Sequence, residues 1–318
     1  RWNPPRRLSP RAGGGTLCMS LFDRLIVTTL PVVPKFIVGR VAARSVAGET
    51  RDDAIRTVRE LEAEGAMATL DLLGEEITER AAATAALEEY LQLAQRIRDE
   101  KLDNCYISVK PTQMGLAIDQ EFCRQNLERL VSAAAEGGTF VRLDMEDRTT
   151  TDATIEIYRG LKERYGSVGT VFQAYMRRTL RDISELPDEG ANIRLCKGIY
   201  IEPRAVAWKG YETVRYNFIK ALEKLFDQGV YVGIATHDEY LVCAAVALID
   251  RLGLDRDRYE FQMLLGVEPE LRRILLAEGH RLRVYVPYGK DWYLYSVRRL
   301  RENPKIAGYV LRALLRGE

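Results

Sequence analysis

The sequence predicts a closed α/β barrel of the (βα)8, TIM-barrel type, preceded by N-terminal helices and followed by a C-terminal helix. Short apolar segments alternate with amphipathic ones from about residue 66 to the end of the 318-residue chain. Such alternation demands a mostly parallel sheet, because each crossover helix returns the chain to the same end. Eight repeats over roughly 250 residues match the size of a closed barrel. The alternative, an open doubly wound sheet, usually opens on a glycine-rich first turn, and the chain contains no G-x-G-x-x-G.

Residues 1–18 hold four Arg, three Pro, three Gly and no acid, and read as a disordered basic arm or a start-site artefact ahead of Met19. Residues 19–65 read as an N-terminal helical segment of two or three helices beginning at Leu21. In it Gly48-Glu49-Thr50 marks a turn, and Thr50 is placed to cap a helix over Asp52–Glu64. Residues 66–318 form the barrel with its C-terminal helix. Strands are expected over Ala66–Leu72, Asn104–Val109, Thr139–Asp144, Gly169–Ala174, Asn192–Lys197, Val230–Thr236, Arg258–Met263 and Arg281–Val286. Between them, Glu121–Ala135 carries Phe122, Leu127, Leu130 and Val131 on one side, and Val214–Leu225 and Leu241–Leu252 show the same helical spacing. After the eighth strand, Asp291 is placed to cap a helix over Trp292–Glu302. Pro304 opens a last helix, Pro304–Leu315, where its missing N–H costs nothing.

Composition narrows the function. Lys and Arg number 47 against 46 Asp and Glu, and 47% of residues are hydrophobic, the balance of a soluble globular protein. Without residues 1–18 the body carries 43 basic and 46 acidic residues, which excludes a protein that works by blanketing phosphates. No nucleic-acid partner is expected. No uncharged apolar run reaches the roughly 18 residues a spanning helix needs; Leu25 to Val38 is broken by Pro31, Pro34 and Lys35. The five cysteines, at 18, 105, 123, 196 and 243, form no C-x-x-C, the usage of a reducing, cytoplasmic compartment. His237 and His280 are too few and too distant for a histidine metal site, so no metal is expected.

A barrel of this kind does its chemistry at the C-terminal ends of its strands. There the sequence places Ser108-Val109-Lys110, Asp144-Met145-Glu146-Asp147, Gln173, Arg194-Leu195-Cys196-Lys197-Gly198, Thr236-His237-Asp238, Gln262-Met263 and Tyr285-Val286-Pro287-Tyr288-Gly289. Lys, Asp, Arg and His converging on one mouth describe a site for a charged organic molecule. Residues two apart on a strand share a face, so Arg142, Asp144 and Glu146 point together, as do Arg194 and Cys196. An inward Arg194 near Asp144 would form a partly buried pair. Arg298 and Arg299 could hold a substrate carboxylate through charge-assisted bonds, or Arg298 could merely pair with Glu302 on the helix surface. Thr236 and His237, at a helix start, could meet a phosphate or a polar ring edge, or His237 could be satisfied by backbone. His280 reads as solvent-facing. Lys110 or Lys197, with a depressed pKa, could instead form a Schiff base.

These residues in this order resemble proline dehydrogenase. The motifs are Lys110, Leu143-Asp144-Met145-Glu146-Asp147, Gln173-Ala174-Tyr175, Arg194-Leu195-Cys196-Lys197-Gly198-Ile199-Tyr200, Ala235-Thr236-His237-Asp238, Phe261-Gln262-Met263, Tyr285-Val286-Pro287-Tyr288-Gly289 and Arg298-Arg299-Leu300 with Glu302. The similarity is to the monofunctional bacterial enzymes and runs from about Met19 to Leu315. It implies a flavoenzyme that binds FAD non-covalently and oxidises L-proline to Δ1-pyrroline-5-carboxylate by hydride transfer to flavin N5. Electrons then pass to a quinone, as the first step of proline catabolism, with peripheral association to the inner membrane. Carried over residue by residue, Lys110, Arg298 and Arg299 would hold the proline carboxylate, and Tyr200 and Tyr285 would wall the ring. Asp144 and Arg194 would be the catalytic pair. Met145, Gln173, Lys197, Gly198, Ile199, Thr236 and His237 would contact FAD, with Glu302 orienting the arginines from behind as part of that set.

The chemistry suits the residues: the amine must lose its proton, and positive charge develops as the imine forms. Asp144 can favour that charge while the arginines fix the acid end. Ile199 stands where the family usually has Ala, so its flavin contact would run through backbone. Two rivals of other kinds stay open: a Schiff-base aldolase using Lys110 or Lys197, and a barrel that binds an amino acid without turning it over. The apolar clusters of Leu21–Arg44, with scattered Arg and Lys, could touch a bilayer or cover one end of the barrel.

Overall fold

The computed structural model describes residues 39, 44–74, 76–186, 190–293, 295 and 296. Eight parallel strands close into a barrel: β1 (Met67–Leu72), β2 (Cys105–Val109), β3 (Val141–Leu143), β4 (Val168–Gln173), β5 (Asn192–Cys196), β6 (Tyr231–Ala235), β7 (Tyr259–Leu264) and β8 (Leu282–Tyr288). Every expected strand is present. β3 is the shortest, ending at Leu143 where the alternation suggested Asp144, although the Asp144 N–H still pairs with the Val109 carbonyl at 2.9 Å. The sheet closes through a six-residue register between β1 and β8, from Met67 opposite Arg283 to Leu72 opposite Tyr288.

The helices are α1 (Arg51–Ala63), α2 (Arg80–Asp99), α3 (Gln120–Glu136), α4 (Thr151–Lys162), α5 (Thr179–Ser184), α6 (Tyr211–Asp227), α7 (Glu239–Leu252) and α8 (Pro269–Ala277). Each of β1 to β7 leads to one of α2 to α8 in turn. α1 starts as expected: the Thr50 hydroxyl accepts from the Asp53 N–H, and the Asp53 side chain accepts from the Thr50 N–H, a reciprocal cap. α1 then buries Ala54, Ile55, Val58 and Leu61 against β1 and β8. α5 has only six residues, so the β4 crossover is largely loop. The basic arm, the helices expected over 21–38 and the helix over Pro304–Leu315 lie outside the described residues, as does most of the helix after Asp291.

Two layers of side chains follow from strand alternation. Outward-facing Leu70, Ile107, Val141, Phe172, Ile193, Ile234, Phe261 and Val284 are buried in one continuous apolar cluster with the helices. Paired residues share a face, and the register puts Asp71 opposite Ser108, Ser108 opposite Arg142, Arg194 opposite Gly233 and Gln262 opposite Arg283. This second set faces the barrel axis. A (βα)8 interior is ordinarily filled with branched apolar residues. Here polar and charged side chains run from floor to mouth, with Val171 among them beside Arg194.

Candidate active site

At the mouth, Asp144 gathers partners from β2, β5 and β8 and from Lys110 just beyond β2. Its Oδ1 accepts from Arg194 Nη1 at 2.7 Å and from Ser108 Oγ at 3.1 Å, and its Oδ2 accepts from Tyr285 Oη at 3.0 Å. Lys110 Nζ lies 3.9 Å from Oδ2 and is held from the other side by both oxygens of Asp71, at 2.9 and 3.0 Å. The Arg194 guanidinium sits over the Tyr285 ring, 5.2 Å from its centroid. The expected pair of Asp144 and Arg194 is therefore formed, with Lys110 and Tyr285 beside it.

All three Arg194 nitrogens have partners: Nη1 on Asp144, Nη2 on Ser108 Oγ at 3.0 Å, and Nε on Gln262 Oε1 at 2.6 Å. Burial alone would depress the Lys110 ammonium, but Asp71 and Asp144 outweigh it and raise its pKa above the ordinary lysine value. A lysine so held stays a cation, which weakens the Schiff-base rival at this position. Burial dominates at Asp71 and raises its carboxyl despite Lys110. Tyr285 is pushed well above the ordinary phenol value, first by burial and then by Asp144 and Asp71, and remains an O–H donor.

Glu146 does not share the Asp144 cluster. β3 has ended by then, so alternation no longer holds, and the carboxylate turns to the β2–α3 loop. There it accepts from the Thr112 N–H at 2.9 Å and the Thr112 hydroxyl at 2.6 Å, with its pKa raised by burial. Arg142 also departs from the expected site. It lies at the barrel floor, donating to the carbonyls of Thr170 at 3.0 Å and Asn192 at 2.7 Å and to the Asn192 side chain.

The residues assigned to FAD line the ends of β4, β5 and β6. Gln173 Nε2 donates to the Glu146 carbonyl at 2.7 Å, and Met145 is buried in the apolar cluster. Lys197 Nζ donates to Asp238 Oδ2 at 3.2 Å. Asp238 also receives Arg215, at 2.6 and 2.9 Å, and the Tyr211 hydroxyl at 2.8 Å. Burial opposes its charge, yet Arg215, Tyr211 and Lys197 hold its carboxyl well below the usual carboxylate range. Gly198 is required where it stands: its φ is +106°, and a Cβ there would lie 2.1 Å from the Tyr175 ring. Beyond it Ile199 is 41% exposed and Ile201 98% exposed, leaving bare apolar surface on the loop after β5. The Thr236 hydroxyl accepts from the Asp238 N–H at 3.1 Å, and His237 Nε2 accepts from the Leu264 N–H at 2.8 Å. His237 is thus committed to backbone, through an N–H rather than a carbonyl.

Tyr200 is half-buried, and its hydroxyl is pushed up by burial and then by the carboxylates of Glu146, Asp144 and Asp71. Arg298, Arg299 and Glu302 lie outside the described residues. His280 is not solvent-facing. It is buried, its Nδ1 2.9 Å from the Tyr259 hydroxyl, with Arg256 on the same nitrogen and the Phe261 ring edge-on at 5.1 Å. Burial lowers its pKa. Among the described residues no group of His, Cys, Asp and Glu could hold a metal, and no helix is long and apolar enough to cross a membrane.

Sequence reasoning missed three buried groups: Asp71, Glu260 and Arg283. Asp71 was within reach, since Met67, Thr69 and Asp71 alternate on β1 as the mouth residues do on β3. Glu260 and Arg283 form an ion pair at 2.8 Å on adjacent strands, with side chains 0% and 1% exposed. Their pairing depends on the register between β7 and β8, which alternation within one strand does not supply.

Comparison with known proteins identifies relatives of the whole barrel. The family model described as proline dehydrogenase matches residues 54–312. A protein named proline dehydrogenase from Deinococcus radiodurans is 38% identical over 281 residues, covering 87% of this chain and 90% of the relative. Proline dehydrogenase 1 of Bacillus subtilis is 37% identical over 275 residues, covering 86% and 91%. Among solved structures, proline utilization A from Bdellovibrio bacteriovorus inactivated by N-propargylglycine superposes with a TM-score of 0.79 at 22% identity, over 89% of this chain. This chain spans 36% of that protein, and the likeness speaks for the barrel fold.

Proposed function

The chain belongs to the proline dehydrogenase family, and on that premise we propose that its barrel mouth binds L-proline beside FAD and passes the electrons to a quinone. Membership makes it an oxidoreductase that oxidises proline, the first step of proline catabolism. The observation that carries the site assignment is the Asp144 cluster, where Arg194, Tyr285 and Lys110 converge on one carboxylate at the C-terminal ends of the strands.

The residues present fit a flavin. Arg194 and Lys197 are cations, Gln173 is an amide at a strand end, and Thr236-His237 precede the first turn of a 14-residue helix. These suit, in order, the ring edge that becomes anionic on reduction, the pyrimidine edge, and a pyrophosphate. Ile199, in the turn after Gly198, would contribute through its backbone. Met145 and Gly198 complete the assigned set. When bound, FAD supplies the acceptor for the hydride.

The chain's own groups bind, orient and balance charge. Lys110, kept cationic by Asp71, attracts the proline carboxylate together with Arg298 and Arg299. Tyr285 and Tyr200 enclose the ring, and the Tyr285 hydroxyl, already donating to Asp144, keeps that carboxylate aligned. Proline must present a neutral amine before hydride can leave the adjacent carbon. As the C=N bond forms, positive charge grows at nitrogen, and the Asp144 carboxylate stabilises it without having to reorganise. Arg194 favours negative charge at the acceptor's edge. Delivery to a quinone carries with it contact with a membrane surface.

The test is an absorbance spectrum of the purified protein before and after anaerobic addition of L-proline. Flavin bands that bleach with proline are expected. Flavin that does not bleach would move the substrate elsewhere, and a protein that stays colourless after incubation with FAD would overturn the cofactor.

A further inference from the structure

Beneath the mouth, a chain of hydrogen bonds runs from Arg194 to the barrel floor, and its polarity is fixed at each link. Arg194 Nε donates to Gln262 Oε1 at 2.6 Å, and Gln262 Nε2 donates to Glu260 Oε1, also at 2.6 Å. An arginine only donates and a carboxylate only accepts, so the amide between them has a single orientation. Glu260 is held in turn by Arg283, whose Nε and Nη2 reach its two oxygens at 2.8 and 3.0 Å, and by the Tyr231 hydroxyl at 2.9 Å. Arg283 is anchored to the carbonyls of Ala68 and Asn104, each at 2.7 Å, and lies 3.4 Å above the Tyr106 ring. Space for the amide is also built in by Gly233, paired with Glu260 on the neighbouring strand, where a Cβ would lie 2.4 Å from Gln262 Nε2.

We propose that Gln262, its amide polarity set by Glu260, is the positioning residue that holds Arg194 in the orientation the oxidation requires. The inference rests on the role given to Arg194 above. Asp144 and Ser108 grip one end of the guanidinium, and two contacts at one end leave the plane free to tilt. The Gln262 contact at Nε, on the opposite side, removes that freedom. The Gln262 amide is spent on Arg194 and Glu260, so its effect falls on the rate of the chemical step and not on proline binding.

Two substitutions test this. Gln262→Met keeps the volume and leaves the Glu260–Arg283 pair intact but removes both amide bonds. kcat is expected to fall about 10–100-fold with KM for proline little changed, the scale of a small misplacement at a reacting centre. The flavin midpoint potential, read in a redox titration without proline, should move in the same direction as in Arg194→Met. Gln262→Glu supplies a rescue that depends on pH. Its protonated form accepts from Arg194 through C=O and donates O–H to Glu260, reproducing the native pattern. Two carboxyl groups at 2.6 Å share one proton. The charged and titratable groups facing the new acid are Glu260, Arg194, Arg283, Arg142 and Tyr231. kcat of Gln262→Glu should therefore approach the wild-type value at low pH and decline along a new limb as the shared proton leaves. Unchanged kcat in Gln262→Met, or a Gln262→Glu pH profile that superposes on the wild type, overturns the inference. Activity retained in Arg194→Met would instead overturn the site assignment on which it rests.

Discussion

The two ends of the barrel hold similar charges and use them differently. At the floor, Glu260 accepts from Gln262, from Tyr231 and twice from Arg283, and Arg142 and Arg283 each also donate to two backbone carbonyls. The side chains of Arg283 and Glu260 are 1% and 0% exposed, and their charges cancel within the pair. At the mouth the cluster is less enclosed, and one contact is long. Lys110 is shared between Asp71 and Asp144 at 2.9 and 3.9 Å, and the side chains of Lys110 and Asp144 keep 14% and 12% exposure. Saturated charge at the floor serves as structure, whereas partly open charge at the mouth can still be completed by an incoming zwitterion. A buried pair is costly to desolvate and is retained only where geometry repays it. Here the floor repays it by fixing what lies above.

The largest expected effect belongs to the floor. Glu260→Gln leaves Arg283 as an unpaired buried cation, and stability should fall by about 3–5 kcal/mol, read as a lower denaturant midpoint at unchanged slope. A loss below about 1 kcal/mol would mean that the floor pair is not structural, and the contrast between the two ends would fail.

Next in size is Arg194→Met at the mouth. kcat should drop about 10²–10³-fold, the scale of one lost electrostatic contact to developing charge. The flavin midpoint potential should fall as well, since a nearby cation favours the anionic reduced form. Stability should suffer less than in Glu260→Gln, because Asp144 retains Ser108 and Tyr285 and has Lys110 nearby. An unchanged potential in a redox titration would separate Arg194 from the flavin.

Opposite pH dependences sharpen the contrast further. Burial raises the Glu260 carboxyl, but Arg283 outweighs it, so the folded pKa lies below the ordinary 4.5. Its stabilisation is present above that value and lost as pH falls through the folded pKa. Asp71, raised above the ordinary 3.8 mainly by burial, behaves in the reverse sense. The folded protein keeps a proton the unfolded chain has released, so this contribution declines as pH rises from 3.8 through the folded value. Denaturant midpoints should therefore lose their acid fall in Glu260→Gln and, in Asp71→Asn, the decline that sets in above pH 3.8. Slopes that change in the same direction would contradict the assignment of opposite shifts.

The sequence was most informative where one strand suffices. Each of the eight strands lies within a few residues of its expected span, and Thr50 caps α1 as its position indicated. Alternation along β3 and β5 faced Asp144 and Arg194 inward, and they meet at 2.7 Å. Where two strands must be aligned, single-strand patterns carried no signal, as with Glu260 and Arg283. Glu146 shows the complementary failure, because alternation extended past the end of β3 assigned it a face it does not have. His280 follows Gly279, whose φ of +77° turns the chain back so that the imidazole packs on Tyr259 and Phe261. The recognised order of motifs supplied what spacing left open at Lys110, which could equally have been a Schiff-base lysine until Asp71 was seen beside it.

The finest comparison removes one hydroxyl from each end. Tyr231 donates to Glu260 Oε2 at 2.9 Å, and Tyr285 donates to Asp144 Oδ2 at 3.0 Å. A hydrogen bond to a buried charged group is worth about 1.5–3 kcal/mol, so the two Tyr→Phe substitutions begin from equal losses. In Tyr231→Phe the loss should appear as lower stability with kcat/KM nearly unchanged, because Arg283 still fixes Glu260 and the polarity of Gln262 survives. In Tyr285→Phe it should appear as a kcat/KM lower by about 10–100-fold with a smaller change in stability, the same free energy expressed at the transition state. If both variants lost only stability, the mouth would be a second structural plug. If both lost only activity, the floor would be part of the catalytic machinery and not merely its support.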